Sequence, residues 1–381
     1  MTAPPFLLIS GHDFRTPRQA NVHFIAEDLA RRGTTRFFSI GFSFLSKLKH
    51  DPRVSLWDRA NTIEPYKGVD AYLWRSFLHP FNLRKKLLAP FTAVWFRAYR
   101  AFAPHTLHEW IRESNTIIIE SGMGIVFFDL IRKSNPRAQI IYLASDALET
   151  IGCDQFLRTE LARCAGSFDG IRIPSRALVT EFPPRTRLHL IPHGIDSGLA
   201  DIQTTSPYSG GTNLVSVGNM LFDRSFFEIA SRALPDVTFH VIGGGAKAVG
   251  LSAPNLVVYD EMPFRDTIAY IRHADAGIAP YEPSNVAPYL RDTSMKLMQY
   301  GFFGIPAVCP HAVVGNQTGR FGYEAGDEAS IRSAIRTALA FGLFPGRACL
   351  TWAQVTDRIL DPANFPDTLI KPDANGLPVA A

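Results

Sequence analysis

Polar side chains follow several short apolar runs of this chain, at the places where buried strands of an α/β fold would end. In the first half they include His12, after the run 6–10, and Asp146, after the run 139–145. Ligands of doubly wound sheets bind outside the carboxyl ends of the strands, so both residues are candidates for a binding or catalytic site. Asp146 could equally cap a helix that begins at Ala147, and His12 could simply be solvated in a loop.

Two features of the second half could bind a phosphate. Gly243–Gly245 follows an apolar run, and glycines let backbone N–H groups approach an anion, although this triplet fits neither the dinucleotide fingerprint nor Walker A. Lys296 lies in the first turn of a helix that Ser294 would begin, where free N–H groups and a full positive charge both favour an anion. The alternative is an ordinary surface lysine. Further polar strand ends in this half are Gly218, Asn219, Met220, Glu261 and Tyr281.

An alternation of strand and helix patterns predicts the scaffold for these residues. Runs that are apolar on both faces are typical of buried parallel strands, and the helical stretches lie between them. Two doubly wound, Rossmann-like α/β domains that face each other across a cleft are therefore expected. The predicted strands are 6–10, 36–40, 116–120, 139–143, 170–173, 213–217, 237–242, 255–259, 276–279 and 305–309. The predicted helices are 20–31, 175–181, 222–233, 264–273 and 293–303.

The length of 381 residues also favours two domains over one. A Ser-, Thr-, Gly- and Pro-rich stretch at 197–211 has little periodicity and predicts a linker. We therefore expect one α/β domain at 1–196 and a second α/β domain at 212–345. The C-terminal segment 346–381 is expected to cross back to the first domain.

Charge is divided unevenly along the chain. Residues 1–200 contain 26 basic and 18 acidic side chains, and the remainder contain 13 and 17, so the two parts carry +8 and −4. Residues 71–108 contain six basic residues, nine aromatic residues and no acid. An aromatic core with a solvated basic face is one explanation. We favour contact with an anionic membrane surface, through Trp74, Arg84, Lys85, Lys86 and Trp95. Nucleic acid is not expected as a partner, since no reader motif accompanies these residues.

Several classes of protein are not expected. The four cysteines are too scattered for a disulfide framework or a zinc clip. No apolar window reaches the 18 residues of a membrane span. No Asp-x-Asp pair is present, so we expect no metal and no other cofactor: positive side chains and a helix terminus would neutralise a departing diphosphate.

Four segments together resemble the GT-B glycosyltransferases. They are the turn Ile191–Asp196, the strand end Val217–Asn219, the segment His273–Pro280 and the helix with its ending Met295–Pro306. Shorter motifs resemble, more narrowly, the xanthan-type glucuronosyltransferases of bacterial exopolysaccharide assembly. These motifs are Ser10–Arg15, Arg18–Phe24, Ile40–Ser43, Tyr142–Asp146 and Ser294–Tyr300, and the resemblance spans roughly residues 6–340.

The resemblance implies an inverting, metal-independent transfer of glucuronic acid from UDP-glucuronate. The acceptor would be the mannose of a polyprenyl-diphosphate-linked oligosaccharide, and the enzyme would be peripheral, at the cytoplasmic face of the inner membrane. Asp146 would be the general base that takes the proton of the acceptor hydroxyl. The positions that match UDP-binding residues are Met220, Glu261, Tyr281, Met295, Lys296 and Gln299. Glu181 matches a further cleft carboxylate, and His12, Gly218 and Asn219 remain candidates from their positions at strand ends.

Two other functions fit the same residues. One is a GT-B transferase that uses another nucleotide sugar, such as UDP-glucose or GDP-mannose. The other is a scaffold that binds a nucleotide sugar or a lipid without catalysis. Donor specificity and turnover separate these alternatives.

Overall fold

The computed structural model describes residues 5–17, 19–48, 51–79 and 89–371. The chain divides into two compact units. The first unit contains residues up to Gly194 together with those from Trp352 onward, and the second contains Ile195–Thr351.

A mostly parallel sheet forms the centre of the first unit. The strands are β1 (Phe6–Ser10), β2 (Thr35–Ser43), β3 (Ile63–Tyr66), β4 (Val69–Ser76), β5 (Thr116–Glu120), β6 (Gln139–Leu143), β7 (Gly170–Ile173) and β8 (His189–Leu190). In the described ranges their order in the sheet is β3-β4-β2-β1-β5-β6-β7-β8, and β3 is antiparallel to β4. The neighbouring strands β1, β5 and β6 are buried, apart from the half-buried Gln139, because helices cover both faces of a parallel sheet.

Helices follow most of these strands. They are α1 (Asn21–Arg32), α2 (Leu45–Leu48), α3 (Ala89–Ala101), α4 (His105–Glu113), α5 (Phe128–Ser134) and α6 (Gln155–Cys164). A 3₁₀ helix, Arg176–Glu181, stands where the sequence predicts an α-helix at 175–181. The strands predicted at 6–10, 116–120 and 139–143 are confirmed at those bounds.

A second parallel sheet forms the centre of the second unit. Its strands are β9 (Thr212–Val217), β10 (Val237–Ile242), β11 (Leu256–Tyr259), β12 (Ala276–Ile278), β13 (Ala307–Pro310) and β14 (Arg320–Tyr323). They lie in the order β11-β10-β9-β12-β13-β14. The helices are α7 (Arg224–Ala233), α8 (Phe264–Arg272), α9 (Leu290–Thr293), α10 (Met295–Phe303) and α11 (Glu328–Phe341). One further helix, α12 (Trp352–Leu360), belongs to the first unit.

One aromatic contact holds α10 against the second sheet. The Tyr300 hydroxyl donates to the carbonyl oxygens of Val215 and Ile278, at 3.1 and 3.2 Å. Its ring lies directly over Gly277, where a Cβ atom would be 2.4 Å from the ring. The glycine in β12 therefore lets α10 approach the sheet closely, and this contact fixes the N-terminus of the helix at the carboxyl edge of the sheet.

The stretch 197–211, predicted as a linker, is part of the second unit. Leu199 is 1% exposed and packs into the core of that unit, with Ile195 and Val215 among its neighbours. The Tyr208 hydroxyl donates to the Tyr270 carbonyl at 2.6 Å. The side chains that hold this segment, Leu199 and Tyr208, are widely spaced, and such spacing gives no helical or strand periodicity in the sequence.

The acid-free segment 71–108 contributes ordinary elements where it is described. Trp74, on β4, is 5% exposed and packs against Tyr99 of α3 with the ring centroids 4.5 Å apart. This corrects the expectation that Trp74 faces a membrane. Trp95 is half-buried, and its indole N–H donates to the His79 carbonyl at 2.9 Å. The three basic residues Arg84, Lys85 and Lys86 lie outside the described residues.

Candidate active site

A buried carboxyl group lies at the carboxyl edge of the first sheet. Glu120 ends β5, is 4% exposed, and accepts a short hydrogen bond from the Ser10 hydroxyl at the end of β1. The Ser145 hydroxyl, beyond the end of β6, donates to its other oxygen at 3.5 Å. Asn21, at the start of α1, donates in turn to the Ser145 hydroxyl at 2.8 Å. One carboxyl group therefore connects the ends of three adjacent strands.

Burial changes the acidity of Glu120. Loss of hydration disfavours the carboxylate and raises the pKa of Glu120 to about 7, against the effect of the Ser10 hydrogen bond. The charge of Asp146 adds to this rise, whereas His23 would lower the pKa of Glu120 only when it is protonated. In the sequence, Glu120 is recognisable as a carboxylate that ends an otherwise apolar strand, Thr116–Glu120, but its position alone assigned it no role.

Asp146 lies in the loop after β6, half-buried, and is held there by its backbone. Its N–H donates to the Ser121 hydroxyl at 3.2 Å, and the Ser121 N–H donates to the Leu143 carbonyl at 2.8 Å. Residues 148–152 form turns, and Asp154 caps the next helix by accepting from the Phe156 N–H. The alternative that Asp146 caps a helix at Ala147 is therefore wrong.

His12 lies close enough to Asp146 for their charges to interact. The backbone N–H of His12 donates to the Ser10 hydroxyl at 2.9 Å. The residue is partly open to solvent, but neighbouring atoms desolvate its ring. This desolvation lowers the pKa of His12, and the charge of Arg53 lowers it further. The charge of Asp146 has the opposite effect and raises it. Arg53 is fixed by donating to the carbonyls of Gly11 and Ile40, at 2.6 and 2.7 Å. We infer a neutral His12 near pH 7.

His23 supports the same loop from α1. Its Nδ1 accepts from the Ala20 N–H at 2.9 Å, so the proton is on Nε2, which donates to the Asp13 carbonyl at 3.0 Å. Burial lowers the pKa of His23 and keeps this tautomer neutral. Asp13 itself pairs with Arg15 at 2.9 Å, with both side chains buried. The loop after β1 is thus fixed on both sides of His12.

Glu181 belongs to a different charged group of the first unit. It ends the 3₁₀ helix 176–181 and is half-buried; burial and then the charge of Glu149 raise the pKa of Glu181, while Arg158 lowers it. Arg158 pairs with Glu149 at 3.2 Å. The charged neighbours of Glu181 are Glu149 and Arg158, and we assign Glu181 no role in the network around Glu120.

The second unit places a buried lysine at the carboxyl edge of its sheet. Ser294 caps α10 by accepting from the Leu297 N–H at 3.3 Å, and its hydroxyl shares a 2.5 Å hydrogen bond with the Tyr281 hydroxyl. Lys296, in the first turn, is 8% exposed; its Nζ donates to the Gly218 carbonyl at 3.5 Å and lies 5.3 Å from the centre of the Tyr281 ring. Ordinary surface placement of Lys296 is therefore wrong.

Burial lowers the pKa of Lys296 to about 7. Among the described residues Lys296 forms no ion pair, and it lies in the first turn of α10, beside the N-terminus of that helix. An anion that reached Nζ and the helix N-terminus would raise this pKa, because opposite charges stabilise each other at close range. The arrangement can therefore bind a diphosphate.

The remaining second-unit candidates lie in loops that follow the strands or on α10. Gly243 has a φ of +63°, and a Cβ atom there would lie 3.6 Å from the Glu261 backbone. Gly245 lies closer still to Asn219, because a Cβ atom there would be 2.8 Å from the Asn219 amide nitrogen. Met220 is 48% exposed, Glu261 is exposed, Met295 is half-buried and Gln299 is 8% exposed.

Two features of the described residues bear on membranes and metals. Nowhere in the ranges 5–17, 19–48, 51–79 and 89–371 does a helix combine the length and apolar character of a membrane span. Three or more His, Cys, Asp or Glu side chains do not come together as a metal-binding group in that part of the chain.

Comparison with known proteins identifies the family. A family model described as the N-terminal domain of the glucuronosyltransferase GumK matches residues 8–174. A curated protein of Xanthomonas campestris pv. campestris, UDP-glucuronate:glycolipid 2-beta-glucuronosyltransferase, is 47% identical over 369 residues, which cover 97% of this chain and 92% of that protein. The chain belongs to the GumK glucuronosyltransferase family. The resemblance to xanthan-type glucuronosyltransferases is thereby confirmed.

Solved structures show that this GumK-family chain has the GT-B fold. HepE of Anabaena, in complex with UDP and glucose, matches with a TM-score of 0.59 and 15% identity over 95% of this chain and all of that one. A trehalose-phosphate synthase of Burkholderia xenovorans matches with a TM-score of 0.57 and 12% identity, covering 94% of this chain and 95% of that one. The predicted fold class is confirmed.

The raised pKa of Glu120 predicts a particular pH dependence of stability. Its folded-state pKa of about 7 exceeds the ordinary 4.5, so proton binding stabilises the folded protein below pH 4.5, and this contribution is lost as the pH rises to about 7. Glu120→Gln should remove that decline, which is roughly 1.4 kcal/mol of unfolding free energy per pH unit. Denaturant unfolding at pH 5, 6 and 7 measures it. Parallel pH curves for wild type and variant would contradict the assignment; Glu113→Gln, at an exposed residue, is the control.

Proposed function

We propose that this protein transfers glucuronic acid from UDP-glucuronate to a glycolipid. The observation that carries the proposal is the 47% identity to the Xanthomonas enzyme over 97% of the chain, a span that includes both polar sheet edges. The acceptor is proposed to be the mannose of a polyprenyl-diphosphate-linked oligosaccharide, as in exopolysaccharide synthesis of the xanthan or acetan type. We place the reaction at the cytoplasmic face of the inner membrane.

The second unit holds the donor in this proposal. Lys296 and the N-terminus of α10 bind the diphosphate, because a buried ammonium group and free helix N–H groups both favour negative charge. Glu261 accepts hydrogen bonds from the uridine, and Met220 and Met295 supply adaptable apolar contacts. The same charges stabilise UDP as it departs, without a metal ion. Tyr281 and Gln299 complete the set.

The first unit supplies the base. Asp146 takes the proton of the acceptor hydroxyl as that oxygen attacks the anomeric carbon and the bond to UDP breaks. Direct attack from the opposite face inverts the anomeric configuration. A neutral His12 beside Asp146 supports this role, because it adds no cation that would hold Asp146 in a strong ion pair. Glu181 is not assigned a step.

Contact with an anionic membrane is the third part of the proposal. Large apolar side chains are exposed on the first unit: Phe91, Val94 and Phe102 near α3 are 71%, 64% and 64% exposed. Beyond β4, Phe77 is 85% exposed, and Phe44, beyond the adjacent strand β2, is 64% exposed. Basic residues accompany them, as Lys47 and Arg75 both lie over the Trp57 ring, at 3.9 and 4.6 Å. Aromatic side chains with nearby cations favour a lipid interface.

Asp146→Asn should reduce kcat by roughly 10²- to 10⁴-fold, because the amide cannot accept the hydroxyl proton. The assay follows transfer from UDP-glucuronate to a lipid-linked acceptor in membrane extract, with UDP affinity measured in parallel and expected to remain unchanged. Asp129→Asn, at a surface ion pair with Arg163, is the matched control. Near-wild-type transfer by Asp146→Asn would show that the base is elsewhere.

EDTA should leave the wild-type rate unchanged.

A panel of donors separates the alternative functions in the same assay. UDP-glucose or GDP-mannose as the preferred donor would make the protein a GT-B transferase of other specificity. UDP binding without turnover of any donor would favour the non-catalytic scaffold.

UDP affinity should depend on pH through Lys296. With a pKa of about 7 in the free protein, Lys296 must take up a proton to pair with the diphosphate above pH 7. We therefore expect affinity to fall up to about tenfold per pH unit from pH 7 towards the pKa of the complex. Lys296→Met should bind UDP more weakly and lose this dependence, whereas Lys133→Met, at an exposed lysine, should retain it. Calorimetry at pH 7, 8 and 9 measures both. An unchanged pH dependence in Lys296→Met would contradict the diphosphate role.

Membrane contact should require both the aromatic and the basic residues. Replacing Phe77 and Phe91 by Ser, or Arg84, Lys85 and Lys86 by Ala, should reduce sedimentation with anionic phospholipid vesicles at least several-fold, because each basic residue contributes about 1 kcal/mol near such a surface. UDP affinity should stay constant in both variants. Phe341→Ser, on the second unit, is the control. Equal binding of wild type and variants to these vesicles would refute the membrane contact.

A further inference from the structure

Glu120 is buried without an ion-pair partner. None of the ion pairs found among the described residues includes it, and its oxygens are satisfied by two hydroxyl groups, those of Ser10 and Ser145. A buried carboxyl group without a countercharge costs free energy to ionise. A carboxyl group that is retained at this position therefore requires an explanation.

The hydrogen bonds of Glu120 connect it to the two loops that carry His12 and Asp146. The Ser10 hydroxyl that donates to Glu120 also accepts from the His12 N–H. The Ser145 hydroxyl that donates to Glu120 belongs to the residue directly before Asp146. The next residue after Glu120, Ser121, accepts from the Asp146 N–H. The end of β5 therefore holds both loops through side-chain hydroxyl groups.

Charged and titratable groups face Glu120 from every neighbouring element. Asp146 opposes its ionisation from the loop after β6, and His23, on α1, would favour ionisation only when protonated. Arg172, on β7, is a buried cation whose own pKa is lowered by burial to about 9 and raised by Glu120. Tyr142, on β6, is fully buried, and the Glu120 charge contributes to raising its pKa. His12, on the β1 side, interacts with Asp146.

We propose that Glu120 is a positioning residue for the transfer reaction, because its hydrogen bonds to Ser10 and Ser145 hold the loops of His12 and Asp146 in place. This inference rests on the proposed function and assigns Glu120 no direct contact with substrate. As a carboxylate, Glu120 accepts from both hydroxyl groups at once. As a carboxylic acid, it carries a proton on one oxygen, and the hydroxyl group at that oxygen must turn to accept.

The two protonation states therefore arrange the loops differently. Ionised Glu120 keeps both Ser10 and Ser145 as donors, which is the arrangement that the structure shows. Protonation replaces one charge-assisted bond by a weaker neutral bond of reversed direction, which loosens its loop at the end of β5. A base that is displaced by about 1 Å can lose about 10²-fold in rate. Transfer should accordingly slow as Glu120 is protonated.

The test is the pH profile of kcat between pH 5.5 and 9. Wild type should gain activity with an apparent pKa near 7, the value that burial sets for Glu120. Glu120→Gln should lose this step and run roughly 10-fold below wild type at pH 8, with unchanged affinity for UDP. Ser10→Ala removes one donor to the carboxylate and should move the step to higher pH. Glu113→Gln, an exposed matched change, should reproduce the wild-type profile.

A step that persists at the same pH in Glu120→Gln would overturn the proposal. A rate that falls equally at all pH values, with the step retained, would show a merely structural role and would overturn it as well. If Glu120→Gln does not fold, the displacement of the step in Ser10→Ala decides, and an unmoved step contradicts the proposal.

A second measurement is independent of catalysis. At pH 8, hydrogen exchange of the peptide 144–147 should be faster in Glu120→Gln than in wild type by roughly tenfold, because the loop of Asp146 loses a tether. The peptide 213–217 in the second unit should exchange as in wild type. Unchanged exchange of 144–147 would overturn the positioning role even if the protein transferred no sugar, whereas absent transfer with faster exchange would contradict only the proposed function.

Discussion

Burial of one ionisable side chain at the carboxyl edge of each sheet is the constraint on which each of the two candidate sites depends. Glu120 in the first unit and Lys296 in the second are each nearly inaccessible to solvent, and burial brings both pKa values to about 7. Neither charge is offset by a direct ion pair among the described residues, so each costs free energy in the unliganded protein. Glu120 offsets part of that cost with hydroxyl donors, and Lys296 becomes fully charged when an anion arrives.

The surrounding structure serves these two groups. In the second unit, Gly277 allows the Tyr300 ring to cross β12, and the ring in turn fixes α10 so that its capped N-terminus lies at the sheet edge. In the first unit, His23 and Arg53 fix the loop after β1 through backbone carbonyl groups. Rigid elements thus hold short polar loops, which is how α/β folds carry many chemistries on one scaffold.

Some of the site was predictable because strand ends can be read from apolar runs. Asp146, Gly218 and Glu261 follow such runs, Lys296 follows the helix start at Ser294, and the structure places each at a sheet edge. Glu120 also ends an apolar run, but no role followed from that, because a carboxylate at the end of Thr116–Glu120 looks the same in sequence whether it is solvated or buried. Trp74 was misplaced for a related reason: basic and aromatic composition does not reveal which face of β4 a side chain occupies. In the proposed function the donor lies in the acidic part of the chain, where Lys296 and a helix terminus would meet the diphosphate.

The sequence by itself determined the α/β alternation, the two sheets and the family, because buried parallel strands are continuous apolar runs and motifs are local in the chain. Only the tertiary structure decided which polar residues are desolvated and which hydroxyl groups meet a given carboxyl group. Ser10 lies 110 residues before Glu120 and Ser145 lies 25 residues after it, yet the order of β1, β5 and β6 makes the three residues neighbours. Desolvation and long-range hydrogen bonds arise from this packing, and no local pattern encodes them.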